Sequence, residues 1–236
     1  MVLFLKLIWR GFRDLFERLL QFVSYSVLWW LAIITIVGGP PATVALFWIC
    51  DPRNRVSTPE FADAVAVFKG SIRRSWGITI FTVPIFAILF WNTFFFSGSN
   101  HPLVALVPLW ILLLFVLYIV ILYAFSMAAT MESGTRNAFR GAMFVLISHP
   151  FRSIFLCLFL IVLGTVMTVT VLPLVLFGPA LLAAIVNRFV LDALKIDVDD
   201  PDAPTIERQA ERQHGINPDP TLLNRLRGSN KQKRQG

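Results

Sequence analysis

Residues 76–129 read WGITIFTVPIFAILFWNTFFFSGSNHPLVALVPLWILLLFVLYIVILYAFSMAA, and they hold no lysine, arginine, aspartate or glutamate. An α-helix rises about 1.5 Å per residue, so ~20 apolar residues cross the ~30 Å hydrocarbon core of a bilayer. Residues 76–96 are therefore one expected span. Residues 102–129 are a second, longer one that can tilt. The uncharged polar run Ser97-Gly98-Ser99-Asn100-His101 joins them. This pair makes the chain an expected all-α polytopic membrane bundle.

The charges extend that reading in both directions. All 21 Lys and Arg of the chain lie in residues 1–21, 51–75, 131–152 and 188–236. Cytoplasmic loops collect Lys and Arg, so these stretches are expected in the cytoplasm, both termini with them, and residues 97–101 outside. A chain of 236 residues that is 56% hydrophobic, with mean hydropathy +0.70, is an integral membrane protein by composition. The net charge of +7 is first a topology signal. Its dispersal among juxtamembrane segments argues against nucleic acid as a partner.

Residues 1–21 form a candidate interfacial helix. At about 100° per residue, Lys6, Arg10, Arg13, Asp14, Glu17 and Arg18 fall on one side, and Phe4, Leu5, Ile8, Trp9, Phe12, Leu15, Phe16 and Leu19 on the other. A leader helix packed on the next segment would show the same pattern. Charges running from Lys6 to Arg18 do not fit a cleavable signal, and no lipidation motif is present.

Residues 22–50 are apolar but interrupted by Gly38-Gly39-Pro40-Pro41. Glycine permits the bend, and proline suits the first turn of a new helix but not the interior of an old one. One reading is a broken hairpin: residues 22–37 rise, the chain turns toward the outer leaflet, and residues 41–49 return as a short re-entrant arm. The other is a single kinked span through Cys50. The hairpin keeps Lys6, Arg10, Arg13, Arg18, Arg53 and Arg55 on one side and is favoured for that reason.

Thr58-Pro59-Glu60 reads as a helix start, with an apolar stripe at Phe61, Val65, Phe68 and Ile72 and cations at Lys69, Arg73 and Arg74. The expected element is an amphipathic cytoplasmic-surface helix to about Ser75, leading into the span at Trp76. Residues 131–152 form a polar return and residues 151–172 a further span. Residues 173–179 form a second punctuated turn, ending at Gly178-Pro179, and residues 179–194 a last span. Residues 197–236, rich in Pro, Asp, Gln and Arg, read as a disordered cytoplasmic tail. The membrane domain is thus residues 1–196. Residues 35–46 weakly echo residues 174–184, each an apolar arm ended by Gly-Pro. Such pairs mark binding sites in some transporters and ordinary punctuation elsewhere.

The Gly39-Pro40-Pro41-Ala42-Thr43-Val44-Ala45-Leu46-Phe47 stretch resembles the signature near the N-terminus of YesL-like bacterial membrane proteins. The run from Phe61 through Lys69-Gly70-Ser71-Ile72-Arg73-Arg74-Ser75-Trp76 is similar to that family's amphipathic segment before its second span. Pro41 is additional to the motif, Ile72-Arg73-Arg74-Ser75 departs from the more usual run, and the long tail lies outside the pattern. The resemblance implies association with carbohydrate uptake systems, with an ABC-type permease as the implied partner.

No ionisable acid or base is expected inside the spans, where ion-coupled transporters keep one. Thr35, Thr43, Thr79, Thr82, Asn92, Thr93, Ser126, Thr165, Thr168 and Thr170 are the polar intramembrane candidates. Hydroxyls of this kind mostly bond a helix carbonyl or pack between helices. Cys50 and Cys157, like His101, His149 and His214, lack metal or catalytic spacing, so no cofactor is expected. Asp51, Glu60, Asp63 and Glu132 are scattered, and no phosphate loop is present. The expectation is a non-enzymatic accessory or regulatory protein of the bacterial inner membrane, in contact with the lipid bilayer. Its structural motif is Gly38, Gly39, Pro40, Pro41, Gly178 and Pro179, and Lys69, Arg73 and Arg74 touch a partner or lipid. The rivals are an autonomous small-solute channel or transporter and, behind it, a lipid-modifying enzyme.

Overall fold

A computed structural model describes residues 8–11, 13, 18–55, 61–98, 102–131 and 133–196. These lie within one compact unit, Met1–Asp197. The helix start at residues 58–60, most of the interfacial segment and the tail from residue 197 lie outside the described residues.

The protein is all-α. Its helices are α1 (Leu19–Ile34), α2 (Gly39–Ile49), α3 (Phe61–Ser97), α4 (Val107–Thr130), α5 (Thr135–Ser148), α6 (Pro150–Thr170), α7 (Leu172–Leu176) and α8 (Gly178–Ala193). Single 3-10 turns cover Pro52–Arg55 and Pro102–Leu106. Among the described residues, three helical stretches are long and apolar enough to cross a membrane: Phe61–Ser97, Pro102–Thr130 and Pro150–Thr170.

The break in the first apolar segment falls where the sequence placed it. α1 ends at Ile34, and α2 opens with Gly39, Pro40 and Pro41 in its first turn. The turn between them satisfies much of its own backbone. Thr35 N–H donates to Ala32 O at 3.2 Å, and Ile36 N–H to Ile33 O at 2.8 Å. The Thr35 hydroxyl donates to Ala32 O and accepts from Gly38 N–H. Trp76 Nε1 donates to the Val37 carbonyl at 3.2 Å. This is how irregular backbone is tolerated in an apolar setting.

That last bond corrects the expected position of the turn. Ile33, Ile36, Gly39 and Pro40 share a cavity of about 550 Å³ with Trp76, Thr79, Ile80, Val83 and Pro84. The turn therefore stops at Trp76–Pro84 of α3. Roughly 20 Å of that helix, at about 1.5 Å per residue, continues past it to Ser97, so the hairpin does not reach the Ser97 end. The returning arm is the reason, since α2 has 11 residues and covers only about 16 Å.

A second correction concerns the expected surface helix and the span after it. They are one unbroken helix of 37 residues, with Pro84 in its interior. Trp76 marks a change of surroundings and not of backbone. Gly77, next to it, is a contact point: a Cβ there would strike the Thr135 side chain at the start of α5. The Thr135 hydroxyl donates to the Arg74 carbonyl at 3.1 Å.

At the other punctuated turn, α6 ends at Thr170, two residues before the expected limit. Val171 takes φ 55°, ψ −55°, and the five-residue α7 fills part of the turn. The expected last span is a 16-residue helix, about 24 Å long and short of the core thickness. Thirteen of its 16 residues are buried. α8 packs against α1, α2, α4, α5, α6 and α7, which makes it the centre of the bundle. Its small residues explain this, because Gly178, Ala180, Ala183 and Ala184 let neighbouring backbones come close. In contrast, only 11% of the apolar window of α3, and 11% of that of α4, is buried.

Candidate functional site

α2, α4 and α8 meet at a buried polar cluster. Asp51 and Arg53, which follow α2, are both buried. Arg53 Nη2 donates to Asp51 Oδ2 at 2.6 Å, Nε reaches the same carboxylate at 3.0 and 3.1 Å, and the Arg53 backbone N–H adds 2.9 Å. Nη2 also donates to the Thr130 carbonyl at the end of α4, at 2.7 Å. One turn back on α4, the Ser126 hydroxyl donates to Asn187 Oδ1 of α8 at 2.7 Å. Asn187 Nδ2 then donates to the Phe47 carbonyl of α2 at 2.6 Å. Beside this chain, Tyr123 stacks on Phe189 at 5.7 Å and its hydroxyl donates to Ser153 Oγ of α6 at 3.0 Å.

This arrangement spends its polar groups on one another. Burying a charge or an amide is costly unless it is paired, and here the pairing pins three helices in register. Within the Asp51–Arg53 pair, Arg53 Nη1 is buried with no hydrogen-bond partner. Among the described residues, no group of three or more His, Cys, Asp or Glu could hold a metal ion.

The second feature is an apolar groove of about 330 Å³ between α1, α2 and the first half of α3. Its walls come from Leu28 and Trp29 of α1, Ala42 and Ala45 of α2, and Phe61 and Phe68 of α3, among others; Lys69 is its one charged lining residue. The position of α2 follows from its opening Gly-Pro-Pro turn. Trp29 Nε1 donates to the Thr43 hydroxyl at 3.0 Å, fixing α1 against α2. Ser71 Oγ lies 3.5 Å from the Pro41 carbonyl, where α3 meets the same helix.

The sequence-predicted contact residues are not brought together as a trio. Lys69 and Arg73 are exposed and one turn apart on α3, whereas Arg74 is half-buried and its carbonyl serves α5. Gly39 and Gly178 are buried at the first positions of α2 and α8, with Pro40, Pro41 and Pro179 next to them. Gly38 lies in the turn, where a Cβ would come within 2.7 Å of Thr35 Oγ1. These glycines and prolines stand in a turn or in the first turn of a helix.

The polar intramembrane candidates divide in the same way. Thr79, Thr82, Thr93, Thr165, Thr168 and Thr170 each donate to a carbonyl one turn back on their own helix. Ser126 instead bonds across to α8. Sequence reasoning missed Asn187, Asp51 and Arg53 as core members and placed Arg188, which is buried, at the cytoplasmic border. The signal for Asn187 was its place on a helix rich in alanine, a composition that marks close packing.

No family model matches the chain, nor does any curated protein or solved structure.

Proposed function

We propose that this chain is a non-enzymatic accessory or regulatory protein of a bacterial inner membrane, with both termini cytoplasmic, associated with a solute uptake system. Its resemblance to YesL-like proteins makes carbohydrate the favoured solute class and an ABC-type permease the favoured partner. The observation that carries the reading is the contrast between the spent interior and the uncovered pair α3–α4. In the interior, Asp51 pairs with Arg53, Ser126 with Asn187 and Tyr123 with Ser153. The outer faces of α3 and α4 expose Ile80, Phe81, Phe86, Phe90, Trp91, Phe94, Leu109 and Leu112. α3 also continues into the exposed cations Lys69 and Arg73. A protein built this way acts through surfaces, in the bilayer and at its rim.

The test is purification from native membranes at endogenous level. A permease subunit recovered in stoichiometric amount supports the proposal. Solute flux by the purified protein alone in liposomes would overturn it in favour of an autonomous channel or transporter.

A further inference from the structure

We infer that the groove between α1, α2 and the first half of α3 binds one acyl chain of an anionic phospholipid, whose phosphate is held at Lys69. The inference does not rest on the accessory-subunit reading.

Three observations lead there. The groove is concave, has a volume of about 330 Å³, and is lined by apolar residues apart from Tyr25, Trp29 and Lys69, with the Trp29 indole N–H already donated to Thr43. Ligand pockets span about 300–1,000 Å³, so it has room for one slender chain rather than a bulky polar solute. Next, its lining reaches the surface: Leu28 of α1 and Phe61 of α3 line the groove and are themselves exposed. A groove opening onto such a surface opens onto lipid. Third, its electrostatics are asymmetric. Lys69 stands at one end, and the charge of Asp63, the one acidic residue of α3, is felt at the Tyr25 hydroxyl. A phosphate is therefore drawn to the Lys69 end and repelled from the other. The ammonium reaches it on a stem whose methylenes lie along the apolar wall, as amphipathic side chains do.

The groove also has a built limit. Ala42 and Ala45 form its α2 wall and are almost fully buried. Larger residues at these two positions would occupy the volume assigned to the chain.

The experiment uses the full-length protein in nanodiscs of equal phosphatidylglycerol and phosphatidylcholine, then mild detergent extraction and native mass spectrometry of retained lipid. Wild type is expected to retain phosphatidylglycerol in preference. Lys69→Gln should lower that preference about fivefold, the factor one near-surface cation contributes, and Lys69→Arg should keep it. Ala45→Phe should abolish retention, with Ala42→Leu as a second, smaller obstruction if the first variant fails to fold. Arg73→Gln, an exposed cation outside the groove, should change nothing. Equal losses in Lys69→Gln and Arg73→Gln overturn the inference, because they indicate general surface attraction. Unchanged retention in a folded Ala45→Phe or Ala42→Leu overturns it as well. So does selective loss of a co-purifying protein with lipid retention intact, which makes the occupant a protein.

Discussion

Asp51 and Arg53 stand in a stretch that charge counting assigns to a solvent-facing loop, and they are interior residues. Two charges removed from water repay their desolvation only through close pairing, so loss of one partner is expensive. Asp51→Ala is expected to destabilise the bundle by about 3–5 kcal/mol, the cost of an uncompensated buried cation. The double variant Asp51→Leu with Arg53→Met should recover much of that loss. Denaturant titration in detergent, followed by circular dichroism, measures both. Asn187→Leu strips the Ser126 hydroxyl and the Phe47 carbonyl of their partner and should cost about 2 kcal/mol. A loss below about 0.5 kcal/mol would mean the three-helix link carries little. Cys50 makes a separate point, outside the three spanning helices. Its thiol is buried, and burial pushes its pKa well above the ordinary value, with Arg18 pulling the other way and Asp51 adding to the rise. It should stay protonated and resist maleimide at neutral pH until the protein is unfolded. Rapid labelling of native protein would contradict its place in the core.

At the scale of elements, the Gly-Pro interruptions were legible because proline and glycine act on the backbone whatever the surroundings. Element length was less legible. Nothing between Phe61 and Val83 breaks a helix, yet charge changes sharply near Trp76, and a boundary read from charge divided one helix into two. The occupants of the centre were the least legible. In water, apolar residues mark the buried face. In lipid, a hydrocarbon tail is as apolar as leucine, so hydropathy no longer separates inside from outside. α3 and α4 are among the most apolar runs and are mostly uncovered, whereas alanine-rich α8 is enclosed. The weak echo between the two interruptions takes a concrete form, since α2 and α8 each begin with Gly-Pro and are joined by the Asn187–Phe47 bond. Each interruption also holds a β-branched residue at positive φ, Ile36 at 58° and Val171 at 55°. This geometry costs about 1–3 kcal/mol, and glycine gives back about 0.5–1 kcal/mol in unfolded-chain entropy. Val171→Gly should therefore stabilise by about 1 kcal/mol, read as a higher midpoint of thermal unfolding. A lower midpoint would show that the Val171 side chain contributes more than its backbone strains.

For the whole molecule, the one-sided distribution of Lys and Arg predicts an orientation that cysteine labelling can check. Ser97 at the end of α3 and Arg136 on α5 are both exposed. Cys50 and Cys157 are buried and leave a quiet background. Ser97→Cys should react with a membrane-impermeant maleimide on intact cells, and Arg136→Cys only after the membrane is opened. The reverse pattern would invert the topology. α8, the helix at the centre, has one more consequence. It is the last helix of the membrane unit to leave the ribosome, while α2, against which Asn187 closes, is among the first. At about 5–20 residues per second, the roughly 130 residues between Ile49 and Gly178 take about 6–26 s to synthesise. Throughout that interval the socket for α8 stands open, with the Phe47 carbonyl and the Ser126 hydroxyl still waiting for Asn187. A nascent chain in this condition is a substrate for insertion chaperones and for membrane proteases. A message truncated before residue 178 should yield a product that is inserted but short-lived, so completion of the chain, rather than insertion of its first helices, sets how much protein accumulates.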